Sequence, residues 1–130
     1  MNDFSNALSI AASGMRAQAQ RLRYTSENIA NVDTPGYRRK TFSLSPEVAN
    51  GQRTGGVTAG NVKLDPSALP KHFDPSHPMA NSEGYFQGSN VNTLVEIANA
   101  REAQRSYEAN LKMFDQARQM SSAALDLLRR

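Results

Sequence analysis

Apolar residues recur at seven-residue intervals near both ends of the chain. At the start, Leu8, Met15, Leu22 and Ile29 form one series, and Phe4, Ala11, Gln18, Thr25 and Val32 a second. At the end, Ile97, Gln104, Leu111, Arg118 and Leu125 are matched by Ala100, Tyr107, Phe114, Ser121 and Leu128. Within each half the two series lie three or four residues apart, the spacing of a packing seam along one side of a helix. The pattern predicts an N-terminal helix within 1–35 and a long C-terminal helix within 91–130, flanking a middle region over 36–90. Two such helices joined through one connector should run antiparallel. The expected fold is mainly α: two long terminal helices in an antiparallel coiled-coil-like pair, with a small irregular β-rich middle region.

The C-terminal helix is the longer. No Gly follows Gly88 and no Pro follows Pro78, and the stretch is rich in Ala, Leu, Glu, Gln, Met and Arg, all good helix formers. Thr93-Leu94-Val95-Glu96 reads as a capping box that starts the helix. From Thr93 to Arg129 it should extend about 55 Å at 1.5 Å per residue. That exceeds the width of a compact chain of this size, whose radius of gyration is about 14 Å. A further apolar row, Met113, Ala117, Met120, Ala124 and Leu127, makes the last turns sticky around more than half their circumference, and such a helix needs several neighbours. In the first helix, Asn2 or Asp3 can cap the start, and Ala11, Ala12, Gly14, Ala17 and Ala19 keep one half slim enough for close approach. It should stop near Asp33-Thr34-Pro35-Gly36. Polar Gln18, Thr25, Gln104 and Arg118 weaken a two-helix seam but can fix register or face other subunits.

Between the helices the periodicity changes. Thr34-Pro35-Gly36-Tyr37 fits a type II turn, with Pro second and Gly third. Tyr37 to Leu44 reads as a strand, with Arg38, Arg39 and Lys40 as protective charges on a solvated edge. Val57 to Leu64 reads as a second strand. Gly51, Gly55, Gly56 and Gly60 read as a flexible hairpin, because no strand-Gly-x-Gly-x-x-Gly-helix unit surrounds them.

Composition narrows the chemistry. The 130 residues carry a formal charge of +3 and no cysteine, which removes disulfides and thiolate chemistry. Mean hydropathy is −0.60, so the core is small. The basic excess sits in the first third without forming a long stripe, which weighs against nucleic acid; a basic helical regulator binding through Arg38, Arg39 and Lys40 is the rival reading. His72, Asp74 and His77 could in principle ligate zinc, but Pro75 and Pro78 constrain the loop and the spacing is not a helical His-x-x-x-His. Glu96, Glu102, Glu108, Asp115 and Asp126 lie among Arg101, Arg105, Lys112 and Arg118 and read as salt links within the helix or between subunits, rather than as convergent catalytic carboxylates. No metal, cofactor, small-molecule substrate or enzymatic activity is expected. The start lacks a basic n-region and no run is long enough to span a membrane, so a cleavable secretory signal is not expected.

Several short motifs, taken in order, carry a resemblance. They are Ser9-Ile10-Ala11-Ala12-Ser13-Gly14-Met15-Arg16-Ala17-Gln18; Asn28-Ile29-Ala30-Asn31 with Pro35-Gly36-Tyr37-Arg38-Arg39; Asp74-Pro75-Ser76-His77-Pro78; Gly84-Tyr85; Asn90-Val91-Asn92; and Arg105-Ser106-Tyr107-Glu108-Ala109-Asn110. Together they resemble the bacterial flagellar rod and hook family, and within it the proximal-rod members. The resemblance covers nearly the whole chain. It departs in the short Thr-Pro-Gly turn and in Ser89, where a Pro is usual. It implies a non-enzymatic subunit of the basal-body rod, exported unprocessed through the flagellar type III apparatus and assembled in the periplasm into a torque-transmitting tube around the export channel. The implied partners are copies of itself, other rod proteins, the export apparatus, and ring or adaptor proteins. Under this reading Phe4, Leu8, Ala11, Met15, Leu22, Ile29, Val32, Ile97, Ala100, Tyr107, Leu111, Phe114, Met120, Leu125 and Leu128 serve helix and subunit packing. Asn28, Asn31, Pro35, Gly36, Tyr37, Asp74, Pro75, His77, Pro78, Gly84, Tyr85, Asn90 and Asn92 serve turns and family motifs.

Overall fold

The computed structural model describes residues 3–130; Asn2, one of the two expected caps, lies outside the described residues. Two helices dominate, α1 (Asp3–Ala30) and α2 (Thr93–Arg129). They pair antiparallel. Asn28 meets Glu96, Arg21 meets Asn99 and Glu102, Gly14 faces Asn110, and Phe4 and Ala7 lie beside Ala117 and Met120.

α1 ends where its own side chains take over. The Asn31 amide bonds back to the Glu27 carbonyl (2.8 Å), while the Asn31 backbone and side-chain oxygens accept from Thr34 N–H and Oγ1–H (both 3.0 Å). The expected turn follows: Tyr37 N–H donates to the Thr34 carbonyl at 3.2 Å, and Gly36 has φ +75°, the left-handed geometry that a type II turn demands at its third position.

The start of α2 differs from the capping-box expectation. The N-cap is Asn92, whose Oδ1 accepts from Leu94 N–H (3.1 Å) and Val95 N–H (3.4 Å), and Thr93 is already the first helical residue. Glu96 therefore caps nothing. Its carboxylate is turned inward, against α1.

The middle region comprises three two-stranded antiparallel sheets. The first pairs β1 (Lys40–Thr41) with β4 (Lys63–Leu64), the second β2 (Leu44–Ala49) with β3 (Gln52–Ala59), and the third β5 (Lys71–Phe73) with β6 (Tyr85–Gln87). The strand expected over Tyr37–Leu44 is thus split, and only two of its residues pair with 63–64. The glycine-rich stretch forms a hairpin, as expected. Asn50 (φ +53°) and Gly51 (φ +77°) form a two-residue turn of type I′, which holds Ala49 opposite Gln52.

The core is thin. Among the described residues the buried apolar ones are Ala11, Ala17, Ala103 and Ala117, so the centre of the helix contact is made by small side chains rather than by large aliphatic knobs. A Cβ on Gly14 would lie 2.7 Å from Asn110 Oδ1, which is why glycine stands there.

Candidate assembly surface and its polar junction

At the end of the helix pair where the middle region attaches, buried polar groups replace the apolar seam. Asn28, 1% exposed, uses all its hydrogen-bonding capacity. Its Nδ2 donates to the Lys40 carbonyl (3.0 Å) and to Glu96 Oε2 (3.3 Å). Its Oδ1 accepts from Tyr37 O–H (2.8 Å) and Lys40 N–H (2.9 Å). Glu96, also 1% exposed, takes the Arg39 guanidinium on its other oxygen. A carboxylate so deeply placed is tolerated because both oxygens are engaged and one partner is a cation.

Arg38, Arg39 and Lys40 are therefore not a solvated strand edge, and the three cations are spent within the chain. Arg38 donates to the Asp65 (3.1 Å) and Ser67 (3.0 Å) carbonyls. Arg39 holds Glu96, and its backbone N–H is taken by Asn90 Oδ1 at 2.6 Å. Lys40 reaches Glu27 Oε2 at 2.8 Å and also lies near the Tyr24 ring. The Lys40 hydrogen bond holds the Glu27 carboxyl below its ordinary range, and the same bond holds the Lys40 ammonium above its own. Burial pushes the Tyr37 phenol up.

The family motifs divide into two groups in space. Asn28, Asn31, Pro35, Gly36, Tyr37, Asn90 and Asn92 converge on this junction. Asn90 N–H donates to the Tyr37 carbonyl (3.3 Å), Gly36 N–H to the Gln87 carbonyl (3.1 Å), and the buried Ser89 hydroxyl to the Val32 carbonyl. Asp74, Pro75, His77, Pro78, Gly84 and Tyr85 instead build the loop between β5 and β6. Asp74 accepts from Ser76 N–H and O–H, and His77 stacks on Phe86 with ring centres 3.9 Å apart. His77 Nδ1 faces the Met79 N–H at 3.1 Å, so that ring nitrogen serves the loop's own backbone. A Cβ on Gly84 would strike the Phe73 ring at 2.7 Å. The glycine is what seats that ring beside Tyr85.

The packing residues also separate. Ala11 is fully buried, and Phe4, Leu8, Met15, Leu22, Ile29 and Val32 are half-buried, as are Ala100, Tyr107 and Phe114. On α2 the innermost seven-residue row is Glu96, Ala103, Asn110, Ala117 and Ala124, one position before the expected Ile97 row. Ile97 (38% exposed) and Leu111 (39%) lie on the rim of the intramolecular seam, and Gln104 and Arg118 face outward. Met120, Leu125, Leu127 and Leu128 are exposed, the last at 82%, near or past the level where α1 begins. Leu94, Val95 and Met113 are further exposed apolar side chains of α2.

Sequence reasoning missed Glu96, Arg39, Lys40 and Glu27 as junction residues. The available signal was the register of Glu96, which stands seven and twenty-one residues before the two buried alanines of α2. The acidic residues also resolve: Glu102 pairs with Arg21 at 3.2 Å across the helices, and Asp115 lies 3.9 Å from Arg118 within α2. No helix among the described residues is long and apolar enough to cross a membrane.

Known proteins are similar to this chain in sequence. Residues 1–38 match the family model described as flagella basal body rod protein, and residues 82–127 match that of the flagellar basal body rod FlgEFG protein C-terminal region. These matches cover α1 with its turn and α2 with the strand leading into it. The flagellar basal-body rod protein FlgC of Agrobacterium fabrum is 40% identical over 136 aligned residues, covering 99% of this chain and 98% of its own. That of Bacillus subtilis is 35% identical and that of Salmonella typhimurium 32%, each alignment covering 94% of this chain and 96% of the relative. With both helices, the turn and the junction motifs inside the matched regions, the chain belongs to the FlgC family of flagellar basal-body rod proteins.

Proposed function

We propose that this chain is a structural, non-catalytic subunit of the proximal rod, built to be completed by its neighbours. The observation that carries this reading is the mismatch between the two sides of α2. The apolar residues that the intramolecular seam buries are all alanines, whereas Leu94, Met113, Met120, Leu127 and Leu128 face solvent in the single chain. Burying such side chains is worth roughly 1.5–3 kcal/mol each. A helix pair that leaves them outside gains that energy on assembly. Contacts of one surface with a different surface on the next molecule generate open helical arrays, which suits a tube.

Copies of the chain and other rod proteins are the partners this surface fits. The flagellar type III export apparatus and the basal-body ring or adaptor proteins are further proposed partners, and the periplasmic rod is the proposed location. Leu22→Glu and Leu111→Glu place a charge on half-buried or rim positions of each helix. Both variants are expected to vanish from isolated basal bodies and to abolish motility. Normal motility in both would overturn the reading.

A further inference from the structure

The loop between β5 and β6 fastens its own backbone with three side chains, each accepting from the N–H two residues on. Asp74 Oδ1 takes Ser76 N–H at 3.2 Å, His77 Nδ1 takes Met79 N–H at 3.1 Å, and Asn81 Oδ1 takes Glu83 N–H at 2.9 Å together with Tyr85 N–H at 3.0 Å. Only the middle fastening fails on protonation. An amide oxygen does not titrate and a protonated carboxyl keeps acceptor capacity, whereas an imidazole that takes up a second proton is a donor at both nitrogens. Histidine is also the side chain whose ordinary charge change falls between about pH 5 and 8.

A protonated Nδ1 and the Met79 N–H would aim two hydrogens at each other across 3.1 Å, so one of them has to give way. Phe86 decides which. The His77 ring lies flat on the Phe86 face, with centres 3.9 Å apart and planes 9° from parallel, and a positive charge over a ring face is attracted to it. The imidazolium keeps its seat, and the backbone at Met79 moves. On either side the turn is held by bonds that do not titrate, His77 N–H to the Asp74 carbonyl and Ala80 N–H to the His77 carbonyl, both at 3.0 Å. The other titratable groups on the packed elements are His72, which pairs across the strands with Phe86 at 5.5 Å between ring centres, Lys71 on β5, Tyr85 on β6, and Asp74 and Glu83 in the loop. Met79 itself is 63% exposed and, with Lys71, Tyr85 and Phe86, walls an open groove of about 410 Å³.

We propose that His77 is a pH-operated latch on this groove: neutral, it fixes the turn at Met79 through Nδ1; protonated, it stays on Phe86 and releases the Met79 N–H, and with it the wall that Met79 forms. The latch is set at neutral pH and lets go in mild acid. It is a property of the single chain and does not depend on the rod-subunit reading.

NMR of the full-length, nitrogen-labelled chain tests it. The neutral His77 ring is expected to carry its proton on Nε2, read from the shifts of its two ring nitrogens, because Nδ1 is the acceptor. As pH falls, protection of the Met79 amide, corrected for intrinsic exchange, is expected to drop about five- to tenfold, the worth of one hydrogen bond, with the midpoint of the His77 ring titration. The Glu83 amide, held by Asn81, should not follow. His77→Asn places an acceptor that cannot be protonated near the Nδ1 position and should keep Met79 protected throughout, while His72→Gln should leave the transition in place. A neutral ring protonated on Nδ1 overturns the latch, as does Met79 protection that stays constant through the His77 titration. Persistence of the transition in His77→Asn, or its loss in His72→Gln, assigns it to another group and overturns the latch as well.

Discussion

Arg39 and Glu96, 57 residues apart, form an ion pair that fastens the strand after the first helix to the first turn of the last one. The carboxylate is almost wholly enclosed, while the guanidinium retains about a quarter of its exposure. Asn28 takes the other carboxylate oxygen, so three segments of the chain meet at one residue. Removing one partner of such a pair leaves a desolvated group unpaired, at a cost of roughly 3–5 kcal/mol. Glu96→Ala should therefore lower unfolding stability by about 3 kcal/mol. Glu96→Gln should cost less, because its amide oxygen still accepts. Urea unfolding followed by helix signal distinguishes them, and equal losses would mean that the charge carries the whole contribution and the neutral hydrogen bonds none of it.

Gly14 and Asn110 make a second polar checkpoint. Gly→Ala within a helix normally gains about 1 kcal/mol, but here the new methyl would press on the Asn110 amide. Gly14→Ala is expected to be at least ~1 kcal/mol more favourable in an Asn110→Ala background than alone. Strict additivity across that double-mutant cycle would show that the two residues do not touch.

Gln18 is the one weakness in the seam. Its Oε1 is the sole buried side-chain oxygen or nitrogen among the described residues that finds no partner. An orphan of this kind costs about 1–3 kcal/mol. Gln18→Met keeps the length and removes the orphan, and it should raise the thermal midpoint of the free chain. A lowered midpoint would mean that the amide contributes through a contact made elsewhere.

The Lys40–Glu27 pair gives a pH dependence with a definite sign. The folded Glu27 carboxyl is depressed, so its contribution is complete above the unfolded value of about 4.3 and is lost as pH falls through the lower folded value. Lys40 is raised, so its contribution is complete below about 10.4 and is lost as pH climbs through the higher folded value. The stability difference between parent and Glu27→Gln should be flat between these limits and shrink toward zero in acid. A gap that widened below pH 4 would reverse the assignment.

The free end of the helix pair should open first. Ala117 is the last buried residue of α2, and the turns beyond it carry leucines without intramolecular cover. In dilute protein, amide exchange over 122–129 is expected to be at least tenfold faster than over 96–110, and incorporation into a rod should abolish the difference. Uniform protection in the free subunit would contradict a helix that waits for neighbours.

The sequence by itself determined the two long helices, because seven-residue spacing and an unbroken run of helix formers need no distant partner to be read. It also determined the Thr34–Tyr37 turn, whose Pro and Gly have a local steric meaning. The Asn50-Gly51 turn was equally legible, since that dipeptide favours positive φ at both positions, although the surrounding glycines read only as flexibility. Tertiary structure alone decided the rest. Apolar spacing nominated Ile97 and Leu111 for the seam, but where the helices approach, alanines share the innermost row with the hydrogen-bonded polar side chains of Glu96 and Asn110, and the large apolar residues stand on the rim and the outside. It also decided that Glu96 is buried rather than capping, and that Arg38, Arg39 and Lys40 are spent inside the molecule. The fate of a charge depends on which opposite charge the fold brings to it, and a partner tens of residues away leaves no trace in local periodicity.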